Sequence, residues 1–232
     1  MRLLLTSVGP SNDSITRAML ELLGRPLSEC KAVYIPTAIY ALPSGPGDGL
    51  AMAEYVAGMG WAEAGVLELT ALPSIEEEHW KPAFDAADAI IVGGGNGPYL
   101  AYWFEQSGLA ALMPRALEEK VYIGVSAGSC LLTPGWNFDR ERLERDGVYY
   151  DDEYDEPGPK GFGSEFTFGV VPFGIRPHLN ADYFPQADMA MMEKAAAKVD
   201  HPIYAIDDDT AIKVVDGAVE VVSEGEWKLF DK

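Results

Sequence analysis

A serine flanked by two glycines is the first feature of this sequence that could do chemistry. Ser126 lies in Gly124-Val-Ser-Ala-Gly128, at the end of the apolar run Val121–Val125 and before residues that could begin a helix. Where a strand turns sharply into a helix, a serine is pushed out of the sheet in a strained conformation that requires small neighbours. The spacing therefore indicates a nucleophile. A serine that caps a helix after a buried strand is the alternative that the motif alone leaves open.

Three consecutive glycines favour the catalytic interpretation. Gly93–Gly95 follow the apolar residues Ile90–Val92 and precede Asn96. Glycines let a backbone approach a ligand closely with its N–H groups exposed. One of these N–H groups, with that of Ala127, would supply the two donors of an oxyanion hole. A phosphate-binding loop is the competing interpretation, but neither Gly-Lys-Ser/Thr nor the G-x-G-x-x-G spacing is present.

A serine hydroxyl needs a base near neutral pH, and the sequence offers three histidines. His79 follows acidic residues in a predicted surface helix, and His201 precedes a proline in a predicted turn. His178 comes shortly after the apolar run Val170–Phe173, where loops at strand ends should converge, so it is the favoured base. The acids Asp207–Asp209 follow another apolar run. Because adjacent carboxylates repel one another, one of them is predicted to orient the imidazole.

The elements that must hold these residues alternate along the chain. Short apolar runs that end near Gly, Pro, Ser or Thr predict strands, and the longer segments between them have helical spacing. This order predicts one α/β domain over residues 1–232, with a mostly parallel sheet covered by helices on both faces. Ligands of such sheets lie at the carboxyl ends of the strands. The predicted strands are Arg2–Ser7, Lys31–Pro36, Gly65–Leu69, Ala89–Val92, Val121–Val125, Val170–Phe173, Ile203–Ile206, Ala211–Val215 and Ala218–Val222; the predicted helices are Ser14–Leu23, Leu50–Met59, Tyr99–Glu119 with a break at Ser107-Gly108, and Ala187–Lys198.

Composition limits the partners and the compartment. The 37 acidic and 17 basic residues give a formal net charge of −20, which would repel phosphate backbones and makes nucleic acid an unsuitable partner. The first apolar run is too short for a signal peptide or a membrane helix, so a soluble cytoplasmic protein is expected. Two cysteines, Cys30 and Cys130, do not make a disulfide framework in a chain of 232 residues. A homodimer is left open.

The segment Trp136–Gly163 breaks the alternation of strands and helices. It contains three arginines and the acidic cluster Asp151–Glu156. A charge run of this kind is most often a solvated face, and that is the interpretation we favour here. Long loops in compact domains are also often lids over a site, so the second hypothesis is that this segment is a lid.

Four segments together resemble the peptidase E family of serine dipeptidases, which includes aspartyl dipeptidase and is distantly similar to cyanophycinase. The resemblance implies a flavodoxin-like fold related to class I glutamine amidotransferases, with Ser126 as nucleophile, His178 as base and Asp208 as orienting acid. It also implies an oxyanion hole formed by the N–H groups of Gly94 and Ala127. The segments are Val-Gly-Gly-Gly-Asn at 92–96, Gly-Val-Ser-Ala-Gly-Ser at 124–129, Val-Pro-Phe and the following Pro-His within 171–178, and Asp-Asp-Thr-Ala at 208–211.

Two departures from the family pattern bear on these assignments. The position that corresponds to Asp208 is often glutamate, and Asp207 or Asp209 could take its role. The segment Trp136–Gly163 is longer and more acidic than the family's loop. The order Ser…His…Asp also differs from the Ser…Asp…His order of α/β-hydrolases, which disfavours an ordinary esterase.

The substrate that the resemblance implies is a dipeptide with an N-terminal aspartate, hydrolysed through an acyl-enzyme on Ser126. Such a substrate requires a cation near the acyl pocket, for which Arg176 is the candidate, with Asn96 as a further substrate-binding residue. No cluster of metal ligands is visible, and the mechanism requires no cofactor. The alternatives are hydrolysis of another small acyl or isopeptide substrate, and a catalytically inactive module that binds a small molecule.

Overall fold

The computed structural model describes residues 1–136, 140–151 and 156–232. Within these ranges the strands are β1 (Arg2–Thr6), β2 (Lys31–Ile35), β3 (Glu63–Val66), β4 (Ala89–Val92), β5 (Val121–Val125), β6 (Tyr150–Asp151), β7 (Glu156–Pro157), β8 (Gly174–Arg176), β9 (Ile203–Ile206), β10 (Thr210–Val215), β11 (Ala218–Ser223) and β12 (Trp227–Phe230). The α-helices are α1 (Asp13–Leu23), α2 (Gly45–Gly58), α3 (Glu77–Ala86), α4 (Gly97–Gln106), α5 (Met113–Glu119), α6 (Ala127–Cys130), α7 (Arg140–Asp146) and α8 (Met189–Ala197).

The central sheet has seven strands in the order β11-β10-β1-β5-β4-β2-β3. The strands β1 to β5 run parallel to one another, and β10 joins β1 in antiparallel orientation. Since β10 is antiparallel, its first residues lie at the edge where β1 ends, with Thr6 opposite Ala211. The loop before β10 therefore reaches the same edge of the sheet as the loops after β1, β4 and β5.

Side chains from the central strands alternate between two cores, one on each face of the sheet. Leu3 and Leu5 pack into the core that includes α3, α4 and α5, whereas Leu4 packs into the core that includes α1. This period of two is the geometry of a strand buried on both sides. The protein thus has the mostly parallel α/β architecture, with helices on both faces, that the sequence predicts.

A smaller sheet carries the last part of the chain. Its three strands have the order β12-β9-β8, with β8 and β9 parallel and β12 antiparallel to β9. The register places Arg176 opposite Ala205, so β8 and β9 end side by side. This arrangement matters for the site, because the predicted base and the predicted acids follow these two strands.

The predicted elements agree with the structure in most places. The break between α4 and α5 falls at Ser107-Gly108, and the hairpin between β10 and β11 turns at Asp216-Gly217, where both residues have positive φ. The predicted strand Val170–Phe173 is wrong: the N–H groups of Val170 and Val171 donate to Leu132 O, Pro172 has no N–H, and β8 begins at Gly174.

The segment Trp136–Gly163 is described in part. Phe162 stacks on Trp103 of α4 with 6.3 Å between ring centroids, and Arg140 pairs with Glu165 outside the segment. Residues 152–155 of the acidic cluster lie outside the described residues. Among the described helices none is long and apolar enough to cross a membrane. Cys30 and Cys130 are both buried, and no disulfide joins them.

Candidate active site

Ser126 stands on a sharp turn between β5 and α6. Its φ of 48° and ψ of −111° lie outside the usual regions for a residue with a side chain. The turn leaves no room for larger neighbours: a Cβ built on Gly128 would lie 2.1 Å from Val92 O, and one on Gly124 would lie 2.7 Å from the backbone of Ser129. The two glycines of the motif are therefore required by close backbone contacts, as the sequence predicts.

His178 reaches the serine from the loop after β8. Its Nε2 lies 2.9 Å from Ser126 Oγ. The residue has a positive φ of 64° and is buried, with 6% of its surface exposed. Its backbone N–H donates to the hydroxyl of Ser7, at 3.1 Å, and that hydroxyl in turn donates to the backbone oxygen of Asp207 at 2.8 Å. Ser7 therefore ties the loop after β1 to both loops of the smaller sheet.

Asp208 is the acid that contacts the imidazole. Its Oδ1 lies 2.9 Å from Nδ1 of His178. The Asp207 carboxylate is engaged elsewhere, since it accepts hydrogen bonds from the backbone N–H groups of Asp209 and Glu226 and from Thr210 Oγ1. His178 and Asp208 each stand two residues after the paired strands β8 and β9, so the register of the smaller sheet brings them together.

Two hydrogen bonds hold the Asp208 carboxylate in its ionised form. Burial opposes ionisation, but the bonds from His178 and from the hydroxyl of Tyr183 prevail and lower the pKa of Asp208 below its usual range. Partial burial and the contact with this carboxylate raise the pKa of Tyr183 well above that of an exposed tyrosine. Tyr183 is therefore a neutral donor, and the site holds one fixed negative charge beside the imidazole.

Two backbone N–H groups close to the serine, in two different loops, have no acceptor among the described residues. In the loop after β4, the N–H of Gly93 donates to Ile35 O and that of Asn96 donates to Ala38 O, whereas that of Gly94 has no acceptor among the described residues. A Cβ built on Gly94 would lie 3.0 Å from the Cβ of Ser126, so this backbone passes directly beside the serine. The N–H of Ala127, at the start of α6, likewise has no acceptor within the described ranges.

A cavity of about 500 Å³ opens in front of Ser126. Its charged lining is a single carboxylate, Asp48, and no lysine or arginine lines it among the residues that the structure describes. Asn96 lines the cavity and uses its Oδ1 to accept from the N–H of Tyr99 at the start of α4. The other described lining residues are Ser7, Val8, Tyr34, Ile39, Leu42, Ser44, Met52, Gly94, Gly95, Gly97, Pro98, Val125, Ser126, Ala127, Cys130, Trp136, Pro177, His178, Tyr183 and Phe184.

Arg176 is not among the described residues that line this cavity. It is buried on β8, where Nη1 donates to Ile175 O, and its charge acts on His201: burial and then the guanidinium lower the pKa of that histidine. Because His178 lies beyond the end of β8 and has a positive φ of 64°, the alternation of the strand does not continue to it, and a position two residues earlier did not ensure that Arg176 would face the site. The prediction that Arg176 supplies a cation to the acyl pocket is not supported.

Three residues of the site carry no motif and were missed by sequence reasoning. Ser7 joins the loops, Tyr183 contacts both His178 and Asp208, and Phe184 packs its ring 5.2 Å from the imidazole. Ser7 was signalled only by its position at the carboxyl end of β1. Tyr183 and Phe184 lie in an irregular loop, so no periodicity marks them. Within the described ranges no group of three or more His, Cys, Asp or Glu side chains could hold a metal ion.

Comparison with known proteins bears on the chemistry of this arrangement. The sequence pattern of peptidase family S51 matches residues 3–222. No curated protein sequence matches the chain significantly. The fold is similar to that of a candidate peptidase E from Listeria monocytogenes, with a TM-score of 0.65 and 21% identity over 97% of this chain and 98% of the other. It is also similar to a peptidase from an acI-B1 actinobacterium, with a TM-score of 0.61 and 15% identity over 99% of this chain and 93% of the other.

Proposed function

This chain belongs to peptidase family S51, the peptidase E family of serine-type peptidases, and we propose that it hydrolyses short peptides through an acyl-enzyme on Ser126. The observation that carries the proposal is the chain of contacts from Ser126 Oγ to His178 Nε2, at 2.9 Å, and from His178 Nδ1 to Asp208 Oδ1, at 2.9 Å. Nucleophile, base and orienting acid within hydrogen-bond reach are what acyl transfer requires.

The first half of the reaction forms the acyl-enzyme. Ser126 Oγ attacks the peptide carbonyl carbon while its proton passes to Nε2 of His178. Asp208 holds the opposite nitrogen, Nδ1, in its protonated form and stabilises the imidazolium that results. The tetrahedral intermediate then collapses, the C–N bond breaks, and the imidazolium donates its proton to the departing amine. An ester on Ser126 remains.

The second half repeats the same steps with water. His178 takes a proton from a water molecule that attacks the ester carbonyl, and returns it to Ser126 Oγ as the acid product leaves. The developing oxyanion of both halves is assigned to the N–H groups of Gly94 and Ala127. Their lack of any other acceptor among the described residues supports this role, since donors already aimed at the site stabilise the transition state without reorganisation.

The cavity fits a short peptide, but its charge does not favour an acidic one. N-terminal aspartate is what the resemblance to the peptidase E dipeptidases implies, and it remains a prediction. The described lining contributes the carboxylate of Asp48 and no cation. Asp48 is exposed, so its repulsion of an acidic first residue is screened by solvent, and the formal net charge of −20 adds repulsion at longer range. A peptide with a neutral first residue and a protonated amine is the second candidate that this observation favours.

The serine mechanism is tested with a fluorophosphonate reagent and a panel of dipeptides. The reagent should add its mass to the peptide that contains Ser126 in the wild type, and Ser126→Ala should lose both labelling and hydrolysis. Ala fits the turn, so the variant should unfold at the wild-type temperature. Ser74→Ala, on a surface 3₁₀ turn, is the control and should keep both activities. Turnover by Ser126→Ala at the wild-type rate would refute the mechanism.

The same panel decides the substrate. Asp-Leu, Ala-Leu and Lys-Leu differ in the charge of the first residue, and N-acetyl-Ala-Leu lacks the protonated amine. Preference for Asp-Leu would support the aspartyl dipeptidase assignment. Preference for Ala-Leu or Lys-Leu, reduced in Asp48→Asn, would support the assignment that the cavity charge favours.

A further inference from the structure

The hydroxyl of Tyr183 closes a ring of hydrogen bonds with the base and the acid. Its oxygen lies 3.0 Å from Nδ1 of His178, and it donates to Oδ2 of Asp208. The third side of the ring is the contact of 2.9 Å between Nδ1 and Oδ1. The ring therefore includes one imidazole nitrogen of His178, the hydroxyl of Tyr183 and both carboxylate oxygens of Asp208.

Counting protons in this ring leaves one arrangement. The carboxylate of Asp208 can only accept, and the tyrosine hydroxyl has one proton, which is used toward Oδ2. The remaining proton must lie on Nδ1, from which it points to Oδ1 with the tyrosine oxygen as a second acceptor. Nε2 then carries no proton in the neutral imidazole and presents a lone pair to Ser126, which is the tautomer that a general base requires.

We propose that Tyr183 is a positioning residue that holds the Asp208 carboxylate by its second oxygen and thereby fixes the base-competent tautomer of His178. The inference rests on the proposed serine mechanism and deepens it. Tyr183 acts through Asp208 and His178, and the proposed role requires no contact between Tyr183 and the reacting atoms.

The carboxylate needs such a contact. Asp207 is held by three donors, whereas the side chain of Asp208 accepts only from His178 and Tyr183 among the described residues. Its side chain is 29% exposed, so with the tyrosine hydroxyl removed Oδ2 would turn to solvent and Oδ1 alone would hold the imidazole. A carboxylate fixed at one point can rotate about its last bond, and the Nδ1 contact would be lost part of the time.

The tyrosine ring itself can be kept while the hydroxyl is removed. Tyr183 is 58% exposed and packs its ring 5.6 Å from the imidazole and 5.3 Å from the ring of Phe184. Phenylalanine preserves these ring contacts. The raised pKa of Tyr183 also means that the hydroxyl stays protonated and can donate across the pH range in which a histidine base works.

Tyr183→Phe is the variant that tests the inference. The variant loses a hydrogen bond to a charged carboxylate, which is a strong type of hydrogen bond, so kcat should fall about 10- to 100-fold while KM stays within about twofold of wild type. Tyr55→Phe is the matched control, since its hydroxyl donates to Pro10 O and is not among the described contacts of Ser126, His178 or the Asp208 carboxylate, and its kcat should be unchanged. An unchanged kcat in Tyr183→Phe overturns the inference. A rise in KM alone also overturns it, because the hydroxyl would then bind substrate.

A double-mutant cycle separates positioning from an independent effect. If Tyr183 acts through Asp208, the tyrosine substitution should change kcat less than about twofold in an Asp208→Asn background. A loss as large as that in the wild-type background would overturn the inference. The cycle needs a measurable rate in the Asp208→Asn background. The rate of fluorophosphonate labelling of Ser126 is therefore measured in parallel, as a second readout of the reactivity of the serine.

A readout without turnover keeps this inference distinct from the proposed function. The proton on Nδ1 of His178 should give a downfield NMR resonance that is absent from His178→Ala. In Tyr183→Phe it should shift or broaden by exchange, and in Tyr55→Phe it should stay in place. An unmoved resonance in Tyr183→Phe overturns the positioning role even if no peptide is cleaved. A shifted resonance with no peptide cleaved would support the positioning role while the peptidase assignment fails.

Discussion

Replacing each of three adjacent aspartates by asparagine should separate catalysis from folding. Asp208 contacts Nδ1 of His178 at 2.9 Å, while Asp207 accepts three hydrogen bonds from its own loop and from Glu226. Asp209 is exposed, and its carboxylate is reached by Asn12 at 3.4 Å. One chemical change at consecutive positions is therefore made in three different environments.

Asp208→Asn should abolish most of the turnover. Its amide can still contact the imidazole, but an amide N–H facing Nδ1 favours the tautomer whose proton lies on Nε2, which cannot act as a base toward Ser126. The equivalent change in another serine peptidase lowers kcat by about 10⁴, which corresponds to about 5.5 kcal/mol of transition-state stabilisation. The free energy of unfolding at neutral pH should fall by much less than this, because only the contribution of the ionised carboxylate is lost and the fold does not depend on the tautomer.

Asp207→Asn should have the opposite profile. Oδ1 of Asp207 accepts from the N–H of Asp209 at 3.1 Å and from Thr210 Oγ1 at 2.6 Å, while Oδ2 accepts from the N–H of Glu226. An amide supplies one acceptor oxygen, so its NH₂ group must face a donor. Loss of such a bond costs about 1–3 kcal/mol of unfolding free energy. The kcat should remain within about tenfold of wild type.

Steady-state hydrolysis of the best dipeptide and urea unfolding followed by tryptophan fluorescence measure both quantities. Asp209→Asn is the surface control and should be nearly silent in each. If Asp207→Asn lost turnover while Asp208→Asn kept it, the assignment of the orienting acid would be refuted. Equal and mild losses at all three positions would refute the assignment to these aspartates and direct attention to Asp139, an acid that follows the serine motif in sequence and lies outside the described residues.

Three further outcomes are expected. Gly94→Ala should lower kcat about 100-fold with little change in KM, because the new Cβ would lie 3.0 Å from the Cβ of Ser126, beside the proposed oxyanion site. Gly47→Ala is the control: Gly47 has open space around it, so kcat and KM should stay unchanged. Burial opposes ionisation of Asp208, but its two hydrogen bonds lower its pKa, so the ionised carboxylate stabilises the fold above about pH 4. This contribution is lost as the pH falls through the lowered pKa. The difference in unfolding free energy between wild type and Asp208→Asn should therefore shrink between about pH 6 and about pH 2. His201→Ala should leave kcat and its pH dependence unchanged, because this histidine is not among the described residues that line the cavity.

Strong local patterns made most of the fold predictable. The buried strands Ala89–Val92 and Val121–Val125 have the bounds that the sequence predicts, because short runs of β-branched and aliphatic residues end there at glycine or serine. The hairpin at Asp216-Gly217 was equally clear, since this pair suits a two-residue turn. The exposed edge strand Glu63–Val66 was predicted to start two residues late and to end three residues late, because its side chains face solvent and carry no hydrophobic alternation.

The site was predictable where backbone geometry demands particular residues. Gly128 and Ser126 are set by the sharp turn, and this requirement is visible in sequence. What could not be predicted depends on tertiary contacts between distant segments: Ser7 meets the loop of His178 across 171 residues, and Tyr183 meets Asp208 across 25. Neither contact leaves a periodic or compositional signal.

The position of β1 in the central sheet sets the order in which a newly made chain can assemble the candidate active site. Leu3 pairs with Tyr122 on one side and with Val214 on the other, so both neighbours of β1 are synthesised more than a hundred residues after it. Asp208 comes to the edge of the sheet because β10 docks on β1, and Ser7 then joins the last two loops. A nascent chain that has passed Ser126 on the ribosome therefore carries the serine without its acid. Assembly of Ser126, His178 and Asp208 into one site therefore waits until the β10 hairpin has emerged and can pair with β1.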